Sequence, residues 1–260
     1  MLLATIPEPF SLPVLLLTIA AFFAGLVDAI AGGGGLLTLP SLLAAGLPPD
    51  LALGTNKGQS VWGSGAALRS FWKRGLIARE RAAWLFPAGF AGALCGVELV
   101  LHVDRTLLRP IVIGLLLVAA TAIASYRPPT DGTASTPQRG RARNLALLIA
   151  LSIGFYDGFF GPGTGTFLIV LMVALLKDDL LQATANAKVV NFASNLASVL
   201  WFAHAGKVVW HVALPMAVGQ LTGGTLGAAL AVKEGQQLVR KVTLAVVAAL
   251  IIKLTLDLLG

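Results

Sequence analysis

The chain has 260 residues, of which 57% are hydrophobic and only 12% charged, with a formal net charge of +7. A soluble domain carries about 25% charged side chains, so this chain has too few to cover a water-facing surface, and lipid is the expected solvent. The basic excess sits at the ends of apolar runs, as at Lys73, Arg74, Arg79 and Arg81, the pattern of cytoplasmic loops rather than of a phosphate-binding face, so nucleic acid is not an expected partner.

A bilayer-spanning helix takes about 20 largely apolar residues. In chain order the first half offers segments at 11–31, 34–47, 54–72, 83–102 and 107–125, and the second at 145–160, 165–176, 187–204, 208–232 and 238–258. The N-terminus lacks the basic start of a cleavable signal, so 11–31 is read as a retained first membrane segment. Segments 34–47 and 165–176 are short for a span and each directly follows a glycine cluster. They read as half-helices or as the return arms of re-entrant hairpins. The polar stretch 127–143, RPPTDGTASTPQRGRAR, is broken by Pro128, Pro129, Gly132 and Pro137 and reads as a cytoplasmic linker between a first membrane repeat, 1–126, and a second, 144–260. On the helices, Gly89, Gly92 and Gly96, and likewise Gly219, Gly223 and Gly227, recur at close to one turn and predict tight helix crossings. The lone Cys95 excludes an internal disulfide and reads as a small packing residue.

The two halves repeat one another. GLVDAIAGGGGLLTLP…ALGTNKGQSVWGSG in the first answers GFYDGFFGPGTGTFLIV…ATANAKVVNFASN in the second, with Asp28 opposite Asp157, Gly32 opposite Gly161, Gly35 opposite Gly165, Asn56 opposite Asn186 and Lys57 opposite Lys188. Basic loops at 73–81 in the first half and 233–241 in the second fall at non-equivalent places, which by the positive-inside rule makes the repeats inverted. The expected fold is therefore an all-α integral membrane protein of two inverted-topology repeats, about five helical segments each, with glycine-broken short helices. Duplicated units with interrupted apolar segments mark a secondary transporter.

The chemistry gathers at those interruptions. Four glycines in succession do not stay helical without help, and a break survives in lipid only where protein or a wet cavity surrounds it. The helix start after a break points free N–H groups at its guest, and an oxyanion suits them. Candidate substrate-binding residues are Gly32, Gly33, Gly34, Gly35, Thr55, Asn56 and Lys57 in the first repeat and Gly161, Gly163, Thr164, Gly165, Asn186, Lys188 and Asn191 in the second. Lysine is costly in a membrane interior. Each of the two stands near the start of its predicted segment, so that a single one could be a snorkelling side chain; a matched pair favours a role. Asp28 and Asp157 stand just before the glycine clusters, as counter-ions to the lysines, as caps of the broken helices or as carriers of a coupling proton. His102, His204 and His211 are too scattered for a metal site. No Ser–His–Asp arrangement offers itself, and no enzyme activity, metal or cofactor is expected.

These motifs resemble the sulfite exporter TauE/SafE family, also called the TSUP transporters, along nearly the whole chain. The resemblance implies a multi-pass protein of the cell inner membrane moving sulfite, a sulfonate or a related sulfur oxyanion. Its expected mode is alternating access, with proton coupling as an option and a passive anion channel as the alternative. The expected partners are that small anionic substrate, the lipid bilayer and, as an assembly, a homodimer. Pro162, where the first cluster has Gly33, makes the two halves of the site unequal.

Overall fold

Gly32 ends the first long helix. In the computed structural model, which describes residues 6–125 and 139–259, helix α1 (Leu12–Ala31) stops where Gly32 takes φ 75° and returns its N–H to the Asp28 carbonyl. A short helix α2 (Gly35–Ala44) follows, then α3 (Pro49–Lys73), α4 (Arg79–Leu101) and α5 (Arg105–Ser125). The second half repeats the order with α6 (Arg139–Phe159), a short α7 (Thr164–Leu171) running into a π-helical turn (Met172–Leu176), and α8 (Leu180–His204). It closes with α9 (Trp210–Leu259). No strand occurs among the described residues.

Three expectations change. The segments 208–232 and 238–258 are one helix of 50 residues, and the predicted basic loop 233–241 lies inside it. Polarity alone does not stop a helix: Lys, Glu, Gln and Arg are good helix formers, and the single Gly235 is not enough to break one. The second half thus has four elements where five were expected, and the charge pattern of 233–241 no longer describes a loop. The predicted linker 127–143 loses its end, because α6 already begins at Arg139; residues 126–138 lie outside the described residues. Cys95 is exposed on α4 rather than packed.

The halves interlock. α1 packs along α9 and α6 along α4, while α3 leans on α9, α8 leans on α4, and α3 and α8 touch at the centre. Each half's first helix therefore lies against the far half's helix that follows the lysine-bearing one. Glycine makes both crossings close. A Cβ at Gly219, Gly223 or Gly227 would run into the carbonyl oxygens of Thr18, Phe22 and Leu26 on α1, and one at Gly92 or Gly96 into those of Leu151 and Phe155 on α6. Gly223→Leu is accordingly expected to destabilise the fold by about 3 kcal/mol or more, read as a lowered Tm of the detergent-purified protein.

The polarity runs inside-out relative to a soluble protein. Leu15, Leu16, Ile19 and Phe23 on α1, Leu148 and Leu151 on α6, and Leu214 and Val218 on α9 face outward. Lys57, Lys188, Asn56, Asn191, Asn195 and Gln220 are buried. Among the described residues α1 and α4 are long and apolar enough to cross a membrane by length and composition. The central α3 and α8 carry the polar residues instead and fall short of that measure. Two pairs of ions tie the loops across the halves: Lys207 after α8 reaches Asp50 at the start of α3 (2.8 Å), and Arg81 at the start of α4 reaches Asp178 before α8.

Candidate functional site

Lys57 and Lys188 do not lie at helix starts. α3 begins at Pro49 and α8 at Leu180, earlier than the apolar runs suggested, because Pro at the first turn of α3 and the Asp179 cap of α8 extend the helices into polar sequence. Each lysine is therefore eight residues in, about 12 Å along its axis. They are 2% and 0% exposed, which leaves no room for snorkelling.

Each lysine crosses to the other half for its partner. Lys57 Nζ donates to Asp157 Oδ1 (2.7 Å) and to Asn195 Oδ1 (3.3 Å). Lys188 Nζ donates to Asp28 Oδ2 (2.8 Å) and to the Asp28 carbonyl. Two cations and two carboxylates thus share the centre, and their formal charges cancel. Of the roles the sequence leaves open to the aspartates just before the glycine clusters, the geometry brings them against the lysines as counter-ions. The helix ends cancel as well, since the carboxyl ends of α1 and α6 arrive where the amino ends of α2 and α7 begin.

The two glycine clusters abut. A Cβ on Gly32 would strike the backbone of Gly165 and Thr166, and one on Gly35 would stand 3.1 Å from Pro162 Cα. Between the clusters lies a small polar cavity lined by Asp28, Gly33, Gly34, Gly35, Asn56, Lys57, Ser60, Asp157, Gly161, Gly163, Thr164, Gly165, Asn191, Asn195 and Gln220. Its volume is about 20 Å³, little more than one water requires.

Most of the predicted site residues meet here, but Gly32, Thr55, Asn186 and Lys188 do not line the space. Gly32 is taken up by the backbone turn. Thr55 Oγ1 accepts the N–H of Val209 (3.0 Å) and Asn186 Oδ1 accepts that of Ala78 (3.4 Å), so both fasten the loop that precedes a neighbouring helix. They are equivalent to each other at the same spacing of 131 residues that relates Lys57 to Lys188. Asn56 consequently corresponds to Ala187 rather than to Asn186, and the halves of the cavity differ. Asn56 Oδ1 accepts hydrogen bonds from Thr38 (2.6 Å) and Gln59 (3.0 Å). α8 contributes Asn191 and Asn195 one turn apart. Gln220 carried no signal in the sequence, since its counterpart at the same spacing is Gly89. Ser194 was also passed over, although it stands inside the NFASN run; its hydroxyl donates to Asp157 Oδ2.

Comparison with known proteins follows the same outline. The sequence model of the family described as sulfite exporter TauE/SafE matches residues 17–254. A Sinorhizobium protein named "Probable membrane transporter protein ORF9" is 38% identical over 243 residues, covering 93% of this chain and 92% of the relative. "Probable membrane transporter protein YfcA" of Escherichia coli K12 is 38% identical over 237 residues, 91% of this chain and 87% of the relative. A more distant likeness, 23% over 242 residues, is to "Probable membrane transporter protein YunE" of Bacillus subtilis, with 83% of this chain and 87% of the relative covered. No solved structure gives a significant match.

Proposed function

Because the chain belongs to the sulfite exporter TauE/SafE family of membrane transporters, we propose that it is a multi-pass secondary transporter of the cell inner membrane carrying a small sulfur oxyanion, sulfite or an organosulfonate, by alternating access. The observation that carries this reading is the cavity where both glycine breaks, Lys57 and the Asn56 and Asn191 side chains converge. The cargo sits at Lys57, among the glycine N–H groups and those amides, with donors that suit sulfonate oxygens. The two halves are inverted repeats. The crosswise pairing of α1 with α9 and α6 with α4, and of each lysine with the other half's aspartate, supports that.

The cavity is too tight for an organosulfonate as it stands. Cargo enters when the halves move apart on one side, and the close glycine crossings act as rigid units in that rocking. Purified protein in liposomes is expected to move sulfite or a sulfonate with saturating, exchange-type kinetics and without unitary currents. If no sulfur oxyanion moves, the reading fails; unitary currents would replace the carrier by a channel.

A further inference from the structure

Resting on that transport reading, we propose that Asp157 is the seat of a single proton that travels in the same direction as the anion, and that the Ser194 and Thr164 hydroxyls are the switch that lets it be taken up and released. The first ground is charge. Lys57, Lys188, Asp28 and Asp157 sum to zero, and an anion arriving alone would leave one uncompensated buried charge, a state that proteins avoid. A proton arriving with a monoanion keeps the centre neutral. One proton moving against the anion would leave it charged at every stage.

The second ground is the hydrogen bonding of the two carboxylates, which differs in kind. Asp157 Oδ1 accepts from Lys57 (2.7 Å) and from Thr164 Oγ1 (2.8 Å), and Oδ2 accepts from Ser194 Oγ. Each hydroxyl also has a backbone oxygen in reach: Gly161 O lies 2.6 Å from Thr164 Oγ1 and Asn191 O lies 3.1 Å from Ser194 Oγ. A hydroxyl has one hydrogen and two lone pairs, and its rotor can turn. When Oδ2 takes a proton it donates it to Ser194 Oγ, and the Ser194 hydrogen turns to Asn191 O. The Thr164 hydrogen turns to Gly161 O. No buried group loses its partner in either state, and Lys57, which lines the cavity, is left as a cation for the cargo. The only bond made is O–H on Asp157, with the proton drawn from water on the open side. On the other side that bond breaks, the proton and anion leave together, and Ser194 turns back.

Asp28 has no such alternative. Its Oδ1 accepts from the Gly34 N–H (3.3 Å) and its Oδ2 from Lys188, groups that only donate. A protonated Asp28 would lack an acceptor among these contacts, and it would strand Lys188, fully buried and off the cavity wall. By the pairings that align the repeats, Gly35 with Gly165 at a spacing of 130 and Lys57 with Lys188 at 131, Thr164 answers to Gly34 and Ser194 to Gly63, so the hydroxyl pair exists in one half only. The titratable groups around Asp157 are Asp28 on α1, Lys57 on α3 and Tyr156 on α6, with Lys188 of α8 paired to Asp28, while α2, α7 and α9 present only neutral groups to the cavity.

The test uses methanesulfonate, whose charge does not change with pH. Wild-type protein in liposomes carrying an internal pH dye is expected to bring in one proton per anion, with little response to an imposed membrane potential. Its apparent affinity, from ligand-induced Tm shifts, should fall by up to about tenfold per pH unit on the alkaline side, the slope for one linked proton. Asp157→Asn, whose amide donates to Ser194 as the acid would, is expected to bind methanesulfonate with no pH dependence and to move it without protons. Ser194→Ala is expected to lose the pH slope and Ser194→Thr to regain it. If only sulfite moves, the proton is counted beyond those the ion already carries. Anion flux with no proton, or with a proton moving oppositely, overturns this inference and leaves the transport reading standing. A wild-type pH slope in Asp157→Asn, or in Ser194→Ala where Asp157→Asn does not fold, also overturns it. Absence of flux for methanesulfonate and sulfite alike overturns the transport reading, and this inference with it.

Discussion

Lys57→Met is expected to reduce oxyanion flux and binding by more than about a hundredfold. Removing the cation that meets a buried anion across a binding contact costs about 2–5 kcal/mol in binding, and 2.8 kcal/mol corresponds to about a hundredfold in affinity. Lys57 is 2.7 Å from Asp157 and 2% exposed, and no other residue lining the cavity carries a positive charge. The same variant is expected to be less stable, because Asp157 keeps Thr164 and Ser194 but loses its counter-ion. Adding Asp157→Asn should recover most of that stability, since removing both members of a buried pair is often near neutral. Flux should stay lost. Recovery of both in the double variant would show Lys57 to be a structural counter-ion and would move the cargo elsewhere. The measurements are Tm in detergent and anion uptake by liposomes.

Lys188→Met is expected to act on folding first. Its ammonium holds both the carboxylate of Asp28 and the carbonyl that ends α1. It is fully buried and stands off the cavity. Removing it leaves the Asp28 carboxylate with the Gly34 N–H but no counter-ion, and its carbonyl with the Gly32 N–H alone, at a cost of about 3–5 kcal/mol. A drop in Tm and in yield of monodisperse protein should follow, larger than for Lys57→Met because no hydroxyls stand by to share the loss. Adding Asp28→Asn should restore part of the Tm. A stable Lys188→Met protein that binds no anion would reverse the assignment of the two lysines.

Legibility varied from residue to residue, for physical reasons. Asp28, the glycine clusters and the paired lysines stood out because charge and serial glycine are costly in apolar sequence and are seldom kept there without cause. Helix bounds were read too narrowly: apolar content marks the lipid-facing stretch, whereas α3 and α8 run on through polar sequence to a proline and an Asp cap. The joint at 233–241 was misread for the same reason, because polar helix formers continue a helix as well as interrupt an apolar run. Asn186 was misplaced because matching by residue type slipped the alignment by one position. On a helix one residue is about 100° of rotation, enough to turn a side chain from the cavity to the neighbouring loop. Gln220 and Ser194 were missed because an amide or a hydroxyl in an apolar helix carries little signal until a partner is seen opposite it.

By itself the sequence determined the membrane setting, the family and the address of the polar centre, because these follow from composition and from residues whose burial is expensive wherever they lie. Tertiary structure alone decided the pairing: which aspartate answers which lysine, which lysine meets the cavity, and that the centre is neutral. Those facts depend on contacts between residues 100 and 160 positions apart. Chain order leaves such contacts open, and only the packing of α1, α3, α6 and α8 closes them.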